Sequence, residues 1–303
     1  MSFAWLRNSL SLSVVPLTLF GFSGCGGSSP PVDDAIIVSA PDANTTSAPS
    51  VLNPAPTTTL VDSSPTATPS TTTAAGPASA EGWGTLKGRV TLTGADPKFP
   101  PLDSSTKDPN VCAKQPVPNE KLVVGPDNGV KFAIVYLPKP TKVNDEAKSA
   151  AQTAKVEFDQ QNCVFKPHVL AAMVGAKIKI RSSDPVGHNV NSKVDNNSFN
   201  SAVSTGQEID MPLTAAARKP GLLVCDIHPW MSAYWLILDN PYFAVTDEKG
   251  NYEIKNVPAG TQKVVVWQEG VTFVTPTSGK DVTIAANGDT TENFNIDATK
   301  VKK

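Results

Sequence analysis

Short apolar and β-branched runs, each bounded by glycine, proline, asparagine or aspartate, recur along the chain after Trp83. Apolar and polar residues alternate in "RVTLT" and "KIKI", which is the period of a strand with one buried face. The same texture continues through "KFAIVYLPK", "AKVEFDQ", "GLLVCDIH", "AYWLILD", "YFAVTD", "NYEIKNV", "QKVVVWQEG" and "DVTIAANG". This pattern predicts an all-β fold built as an antiparallel sandwich or barrel.

One segment favours a helix. Thr141 to Lys155, "TKVNDEAKSAAQTAK", is rich in alanine, glutamate and lysine, which are good helix formers. We expect one or two turns there at most, or a loop.

The first 24 residues have the features of an export signal. Arg7 is followed by the apolar run Leu10 to Phe22, and then by the small residues Ser23 and Gly24. The run is too short, and too interrupted by proline, to span a bilayer. We therefore predict that residues 1–24 are a signal peptide.

The cysteine after this run suggests a lipid anchor. "FSGC", ending at Cys25, resembles the lipobox of bacterial lipoproteins, although Phe22 stands where leucine is usual. The resemblance implies that Cys25 is lipidated, and that the protein lies in the periplasm or cell envelope, anchored to a membrane. The alternative is an ordinary cleaved signal peptide that happens to contain a cysteine.

Residues 25–83 are predicted to be a disordered tether. From Gly26 to Trp83 there is no lysine or arginine, and serine, threonine, alanine and proline dominate. Such a segment buries too little apolar surface to offset its ordering entropy. As a random coil it would span on the order of 40 Å.

Charge and motifs exclude two classes of partner. The formal net charge of −2 offers no basic stripe for nucleic acid. Phosphate-binding glycine motifs are absent from the sequence, which argues against nucleotide chemistry.

The cysteine count leaves one thiol to explain. Of four cysteines, Cys25 is assigned to lipid, and Cys112, Cys163 and Cys225 are an odd number for an oxidising compartment. Pairing Cys112 with Cys163 would close a loop of about 50 residues and stabilise the fold by roughly 4 kcal/mol. Cys225 would then be free.

The free thiol stands in a group of metal-binding residue types. "CDIHPWM" places Cys225 three residues before His228 and six before Met231. Two histidines and a cysteine with a distant axial methionine form a set that selects copper for electron transfer. His188, in "SSDPVGHNVNSK", is the candidate for the second histidine.

These residues carry a family resemblance that covers Lys155 to Asp239. "FKPHVLAAMVGAKIKIRSSDPVGHNV" and "CDIHPWM" resemble the ligand-bearing segments of cupredoxins, the second one most closely the loop of amicyanin. The resemblance implies a Greek-key β-sandwich over 155–239 that binds one type 1 copper ion. Its implied ligands are His188, Cys225, His228 and Met231. Two residues depart from the family pattern, Ser183 in place of asparagine and Leu223 in place of an aromatic residue.

Three neighbours of the implied ligands also have predicted roles. We expect Asn189 to bridge the His188 loop and the cysteine loop, the alternative being a simple turn asparagine. We expect Pro229 and Trp230 to form an apolar collar around an exposed edge of His228, where an electron partner docks. Packing of the loop is the alternative for this pair.

A second module is suggested by Val245 to Gly270. "VTDEKGNYEIKNVPAGTQKVVVWQEG" has a hairpin turn at Glu248 to Gly250, and it resembles the regulatory-like, transthyretin-type β-sandwich, with Gln262 in place of an aromatic residue. The opening "GTLKGRV" resembles the first strand of that module. We predict one such sandwich from residues 84–154 and 240–303, interrupted by the cupredoxin segment. Two tandem sandwiches remain an alternative.

The function that follows from the resemblance is a one-electron carrier, not an enzyme, working with a redox donor and a redox acceptor. Multicopper enzymes need many more histidines than the three present. A surface adhesion protein with a structural or vestigial metal remains an alternative, as does copper delivery. His168 is either part of a second metal site with Cys163 or a strand-end histidine bonded to backbone.

Overall fold

Strands make up most of the regular backbone in residues 81–303, the part of the chain that the computed structural model describes. The predicted signal peptide 1–24, Cys25 and nearly all of the predicted tether 25–83 lie outside the described residues. The prediction of an all-β fold is confirmed. Neither α-helix of residues 81–303 has the length and hydrophobicity that crossing a membrane requires.

The strands fall throughout the described region. Their bounds are β1 (Trp83–Thr93), β2 (Val123–Val124), β3 (Val130–Lys131), β4 (Ile134–Tyr136), β5 (Lys155–Gln161), β6 (Val164–Lys166), β7 (Val169–Met173), β8 (Lys177–Ser182), β9 (His188–Ser192), β10 (Phe199–Val203), β11 (Glu208–Pro212), β12 (Gly221–Val224), β13 (Ser232–Leu238), β14 (Phe243–Val245), β15 (Asn251–Pro258), β16 (Gly260–Gln268), β17 (Thr272–Phe273), β18 (Lys280–Ile284), β19 (Asp289–Thr291) and β20 (Phe294–Asp297).

Helices are short. The α-helices are α1 (Pro109–Cys112) and α2 (Asp145–Thr153), and single 3₁₀ turns occupy Pro126–Asn128 and Ala298–Lys300. Helix α2 is longer than the one or two turns that we expected. Its start explains the difference, because the Asn144 side chain accepts a hydrogen bond of 2.9 Å from the Ala147 N–H and two acidic residues follow in the first turn.

Four sheets stack as layers. Sheet I has the order β15-β1-β19, with β20 also beside β1, and sheet II has the order β14-β4-β16-β17, with β18 beside β16. Sheet III has the order β10-β9-β12-β13-β7, and sheet IV has the order β11-β8-β5-β6. Strands β2 and β3 form a separate ribbon.

Alternating side chains show how the layers pack. In β13, Ala233, Trp235 and Ile237 enter the core between sheets III and IV, whereas Leu236 and Leu238 enter the core between sheets II and III. The side chains of strand β16 alternate in the same way, between the core of sheets I and II and the core of sheets II and III. Sheets II and III are therefore buried on both faces, which is why "VVVW" and "WLIL" are continuous apolar runs.

Strand direction differs in part from the antiparallel prediction. Strands β7 and β13 pair in parallel, as do β5 and β8. Parallel neighbours need a crossover connection, and long stretches of chain separate the members of both pairs. Nothing in the residues of these four strands indicates that they pair in parallel.

The predicted hairpin at Glu248 to Gly250 is wrong. Strand β14 pairs with β4 in sheet II, but β15 pairs with β1 in sheet I, so the turn joins two layers. The turn is tight, with the Gly250 N–H donating to Asp247 O at 2.9 Å. Gly250 has a φ of +76°, and a Cβ there would lie 2.2 Å from Val90 O.

Strands pair with other strands of the same predicted segment, either 155–239 or the flanking residues 84–154 and 240–303. Strands β5 to β13 pair with one another, whereas β1 pairs with β15, β19 and β20 across an interval of more than half the described chain. This is the pairing that a sandwich of residues 84–154 and 240–303 with an insertion at 155–239 would have. The division into domains itself stays a prediction.

Candidate metal centre

His188 is the first residue of β9 and is 1% exposed. Its Nε2 lies 2.9 Å from Asp184 Oδ2, four residues earlier in the loop after β8. The Asp184 carboxylate also accepts backbone hydrogen bonds from Asn162 and Cys163, at 2.6 and 2.8 Å. Burial opposes the charge, but the hydrogen bonds from His188 and these two N–H groups keep the pKa of Asp184 below its ordinary value.

Cys225, His228 and Met231 lie in the connection between β12 and β13. The Cys225 N–H donates to Met231 O at 3.2 Å, and the Met231 N–H donates to His228 O at 2.9 Å. These bonds close the connection into a compact loop, which we call the cysteine loop (Cys225–Met231). Met231 is buried, as are Cys225 and His228. Because β12 pairs with β9, the loop begins beside the start of β9.

Three of the predicted ligands converge. The Nδ1 atoms of His188 and His228 are 2.9 Å apart, and Cys225 Sγ is 3.7 Å from His228 Nδ1. The ligand atoms of these three residues all lie within 4.8 Å of one another, and each residue is buried. Two imidazole nitrogens and one sulfur therefore face a single point inside the protein.

Carboxylates set the orientation of both rings. His228 Nε2 lies 3.0 Å from Asp108 Oδ2, which matches the His188 contact with Asp184. An imidazole that donates its Nε2–H to a carboxylate presents a lone pair at Nδ1. With both rings held in this way, the two Nδ1 atoms and the sulfur are close enough to share one proton or one metal ion. The donor set of two nitrogens and a sulfur fits a soft or borderline metal ion such as copper.

The titration of the cluster supports a charged sulfur. Burial would lower the pKa of His188, but its hydrogen bonds with Asp184 and Cys225 raise that pKa to about 9. Burial would raise the pKa of the Cys225 thiol, yet the hydrogen bond from His188 and backbone N–H donors lower it to about 6. The thiolate, which is the form that binds metal, is thus favoured at neutral pH.

Asn189 contacts both loops. Its Oδ1 accepts the Asp226 N–H at 2.7 Å and lies 3.4 Å from Cys225 Sγ. Its Nδ2 donates to Asp226 Oδ2 and to Asn200 Oδ1, both at 2.8 Å. Asn191 and Asn200 also donate to the Asp226 carboxylate. Asn189 thus links the start of β9 to the cysteine loop through side-chain and backbone groups.

The surroundings of His228 differ from the expectation of an exposed edge. His228 is 0% exposed, so that expectation is wrong. Trp230 is buried, with its ring 5.2 Å from the His228 ring and its Nε1–H donating to Cys163 O at 3.0 Å. Pro229 is exposed. Trp230 therefore packs inside the loop, and Pro229 alone of the expected collar faces solvent.

A covering segment explains the burial of His228. Residues 102–117, which we call the strap, are closed at their ends by the Leu102 N–H, which donates to Val117 O at 2.9 Å. The strap carries Asp108 and Cys112, and Cys112 forms a disulfide with Cys163, with Cα atoms 5.4 Å apart. Asp108 lies 120 positions from His228, and nothing local indicates their contact. Asp184 lies four residues before His188, inside "SSDPVGHNVNSK", but the sequence pattern alone does not indicate that it contacts the ring.

His168 lies apart from the cluster. Its Nε2 contacts Glu269 Oε2 at 2.7 Å, and its Nδ1 lies 3.1 Å from Ser232 O. Because Cys163 is in the disulfide, a second metal site made from Cys163 and His168 is wrong. The alternative of a histidine bonded to backbone describes the Nδ1 contact.

Comparison with known proteins gives matches among solved structures. No protein-family model matches the chain, and no curated protein matches it. Among solved structures, a purple cupredoxin from Nitrosopumilus maritimus is 20% identical, covering 27% of this chain and 99% of its own, with a TM-score of 0.24. A copper-containing nitrite reductase from Thermus scotoductus SA-01 is 19% identical over 33% of this chain and 25% of its own, with a TM-score of 0.26. A reduced amicyanin mutant is 16% identical over 34% and 97%, with a TM-score of 0.25. Similarities this low do not assign a function to the chain.

Proposed function

We propose that this protein binds one copper ion at the cluster of His188, Cys225 and His228 and carries single electrons. The observation that carries the proposal is the convergence of two buried Nδ1 atoms and one thiol of lowered pKa within 4.8 Å. Because each Nε2 is held by a carboxylate, both Nδ1 lone pairs are directed at the same place. A proton can fill that place in the metal-free protein, and copper can replace it.

Met231 is the proposed fourth ligand. It is buried, and its backbone bonds to both His228 and Cys225 hold it at the end of the same short loop. Met231 would add a weak thioether ligand to the two imidazoles and the thiolate, a combination associated with electron transfer by copper. The proposed set uses one thioether, one thiolate and two imidazoles.

The protein's part in electron transfer is to hold these groups still. Copper supplies the one-electron couple when it is bound. The hydrogen bonds of Asp184, Asn189 and Asp108 fix the ligands from outside, and the burial of all three converging residues excludes water. A site that changes little between oxidation states has a small reorganisation cost, and four protein ligands leave no position for substrate. We therefore propose a carrier and not an enzyme.

The place of action is proposed from the sequence. An export signal over 1–24 and lipid on Cys25 would anchor the protein to a membrane of the cell envelope, facing the periplasm. The tether 25–83 would give the anchored protein a reach on the order of 40 Å toward its redox donor and acceptor.

Copper titration of the purified protein tests the proposal. We expect one copper per chain and an intense blue or green band from thiolate-to-copper charge transfer. Cys225→Ser should abolish the band. His168→Gln is the matched control, because it removes a histidine outside the cluster and should keep the band.

Other outcomes would favour the alternatives. A protein that binds no copper, although circular dichroism shows it folded, would contradict the proposal and favour surface adhesion. Copper that binds without the charge-transfer band and leaves readily to a chelator would favour copper delivery.

A further inference from the structure

Asp108 occupies the position before helix α1 and does not cap it. Aspartate at this position ordinarily accepts a hydrogen bond from the first helical turn through its side chain. The Asp108 side chain makes no such bond, and a φ of 45° with a ψ of 47° puts its backbone in the left-handed region. Besides glycine, aspartate and asparagine are the residues that adopt this conformation most readily. The carboxylate instead lies 3.0 Å from His228 Nε2.

Covalent and hydrogen bonds keep the strap over His228. Four residues after Asp108, Cys112 is joined to Cys163, and its carbonyl accepts the Ser104 Oγ–H at 2.9 Å. The Cys163 N–H in turn donates to Asp184, the carboxylate behind His188. One crosslink therefore connects the two carboxylates that hold the two imidazoles.

We infer that Asp108 is a positioning residue of the metal centre, which directs His228 Nδ1 toward Cys225 and stabilises Cu(II) relative to Cu(I). The inference rests on the proposed function. A ligand imidazole whose Nε2–H is shared with a carboxylate is a stronger donor, and a nearby negative charge favours the more highly charged metal state. Both effects lower the reduction potential.

Replacing Asp108 should disturb the fold less than replacing Asp184, the carboxylate that contacts His188. Asp184 is buried and accepts two backbone N–H bonds, so its replacement would disturb the loop before β9. The Asp108 side chain is 45% exposed, and helix α1 does not depend on it. Asp108→Asn keeps a hydrogen-bond acceptor and removes the charge, whereas Asp108→Ala removes both.

The reduction potential of the copper-loaded protein is the first measurement. Asp108→Asn should raise the potential by at least about 59 mV, which corresponds to a tenfold change in the ratio of Cu(I) to Cu(II) affinity for a one-electron couple. Asp103→Asn is the matched control, because it removes the same charge from the same strap but its carboxylate bonds Ser105. That control should keep the wild-type potential, and Asp108→Glu should lie closer to wild type than Asp108→Asn.

The protonation site of His228 in the metal-free protein is the second measurement. Nitrogen NMR should show the proton on Nε2 in the wild type and a loss of that preference in Asp108→Ala. An Asp108→Asn potential equal to that of Asp103→Asn would overturn the inference. If the wild type shows no copper charge-transfer band, the proposed function fails, and the inference is then overturned if Asp108→Ala leaves the His228 proton on Nε2.

Discussion

Each of the three histidines has its Nε2 against a carboxylate, and the partner of Nδ1 decides what the ring can do. The Nε2 contacts span 2.7 to 3.0 Å. In His188 and His228 the Nδ1 atoms face each other and a thiol, which leaves lone pairs for a metal. In His168 the Nδ1 faces the Ser232 carbonyl, which can only accept, so a protonated His168 can donate to Ser232 and to Glu269 at the same time.

This ion pair predicts a pH dependence. Burial opposes the charge, but the hydrogen bond with Glu269, the negative charges of Glu269 and Glu120 and the bond to the Ser232 carbonyl together outweigh it and raise the pKa of His168 above its ordinary value. The pair's contribution to the free energy of unfolding is therefore full below about pH 6.5 and is lost as pH rises through the raised pKa. Glu269→Gln should cost about 1.5–3 kcal/mol near pH 6 and progressively less at higher pH.

Urea unfolding of the metal-free protein from about pH 6 to 9 measures this difference. Glu248→Gln is the control, because the Glu248 side chain is 73% exposed and its pair with Lys131 is 3.4 Å long. Its loss should change stability by less than about 0.5 kcal/mol at every pH. A Glu269→Gln cost that stays constant with pH would contradict the assignment of charge to His168.

At the level of elements, the sequence predicts strand β8 and the cysteine loop, but it does not predict the strap. Alternation in "KIKI" corresponds to β8, and "CDIHPWM" to the cysteine loop, because local pattern reflects which face is buried. The contact of Asp108 with His228 and the parallel pairing of β7 with β13 join residues far apart in the chain. Short-range pattern carries no signal for either. For this reason the prediction that one edge of His228 is exposed was wrong.

The disulfide predicts a large effect on stability. It spans a sequence separation of 51, so losing it should lower the free energy of unfolding by about 4 kcal/mol in the chain-entropy model. The variant is Cys112→Ala combined with Cys163→Ala, measured by urea unfolding without metal. Cys225→Ala is the control for a buried cysteine outside the crosslink, with an expected loss of about 1–2 kcal/mol. A double variant no less stable than this control would contradict the prediction.

The whole described molecule is held together by the core between sheets II and III. Trp267 of β16 and Tyr234 of β13 meet there, with ring centroids 4.9 Å apart, beside buried Leu236 and Val265. This core joins sheet III, which carries the proposed metal site, to sheet II. We therefore expect one half, made of sheets I and II, and the other half, made of sheets III and IV, to unfold in one transition.

Truncation of this core should separate the halves. Trp267→Ala should cost about 3–5 kcal/mol and split the calorimetric transition of the metal-free protein into two. Phe294→Ala is the matched control, because Phe294 is also buried but packs between sheets I and II. It should lower the transition temperature without splitting the transition. A single transition in Trp267→Ala would show that other contacts couple the halves.

Strand β13 begins one residue after Met231 and sends alternate side chains into two different cores. The strand that follows the cysteine loop therefore also packs against sheet II, through Leu236 and Leu238. Among descendants of this sequence, replacements at Trp267 or Val265 should be accompanied by compensating replacements at Tyr234 or Leu236. Sheets II and III would then diverge together, even where the surface of the protein changes independently.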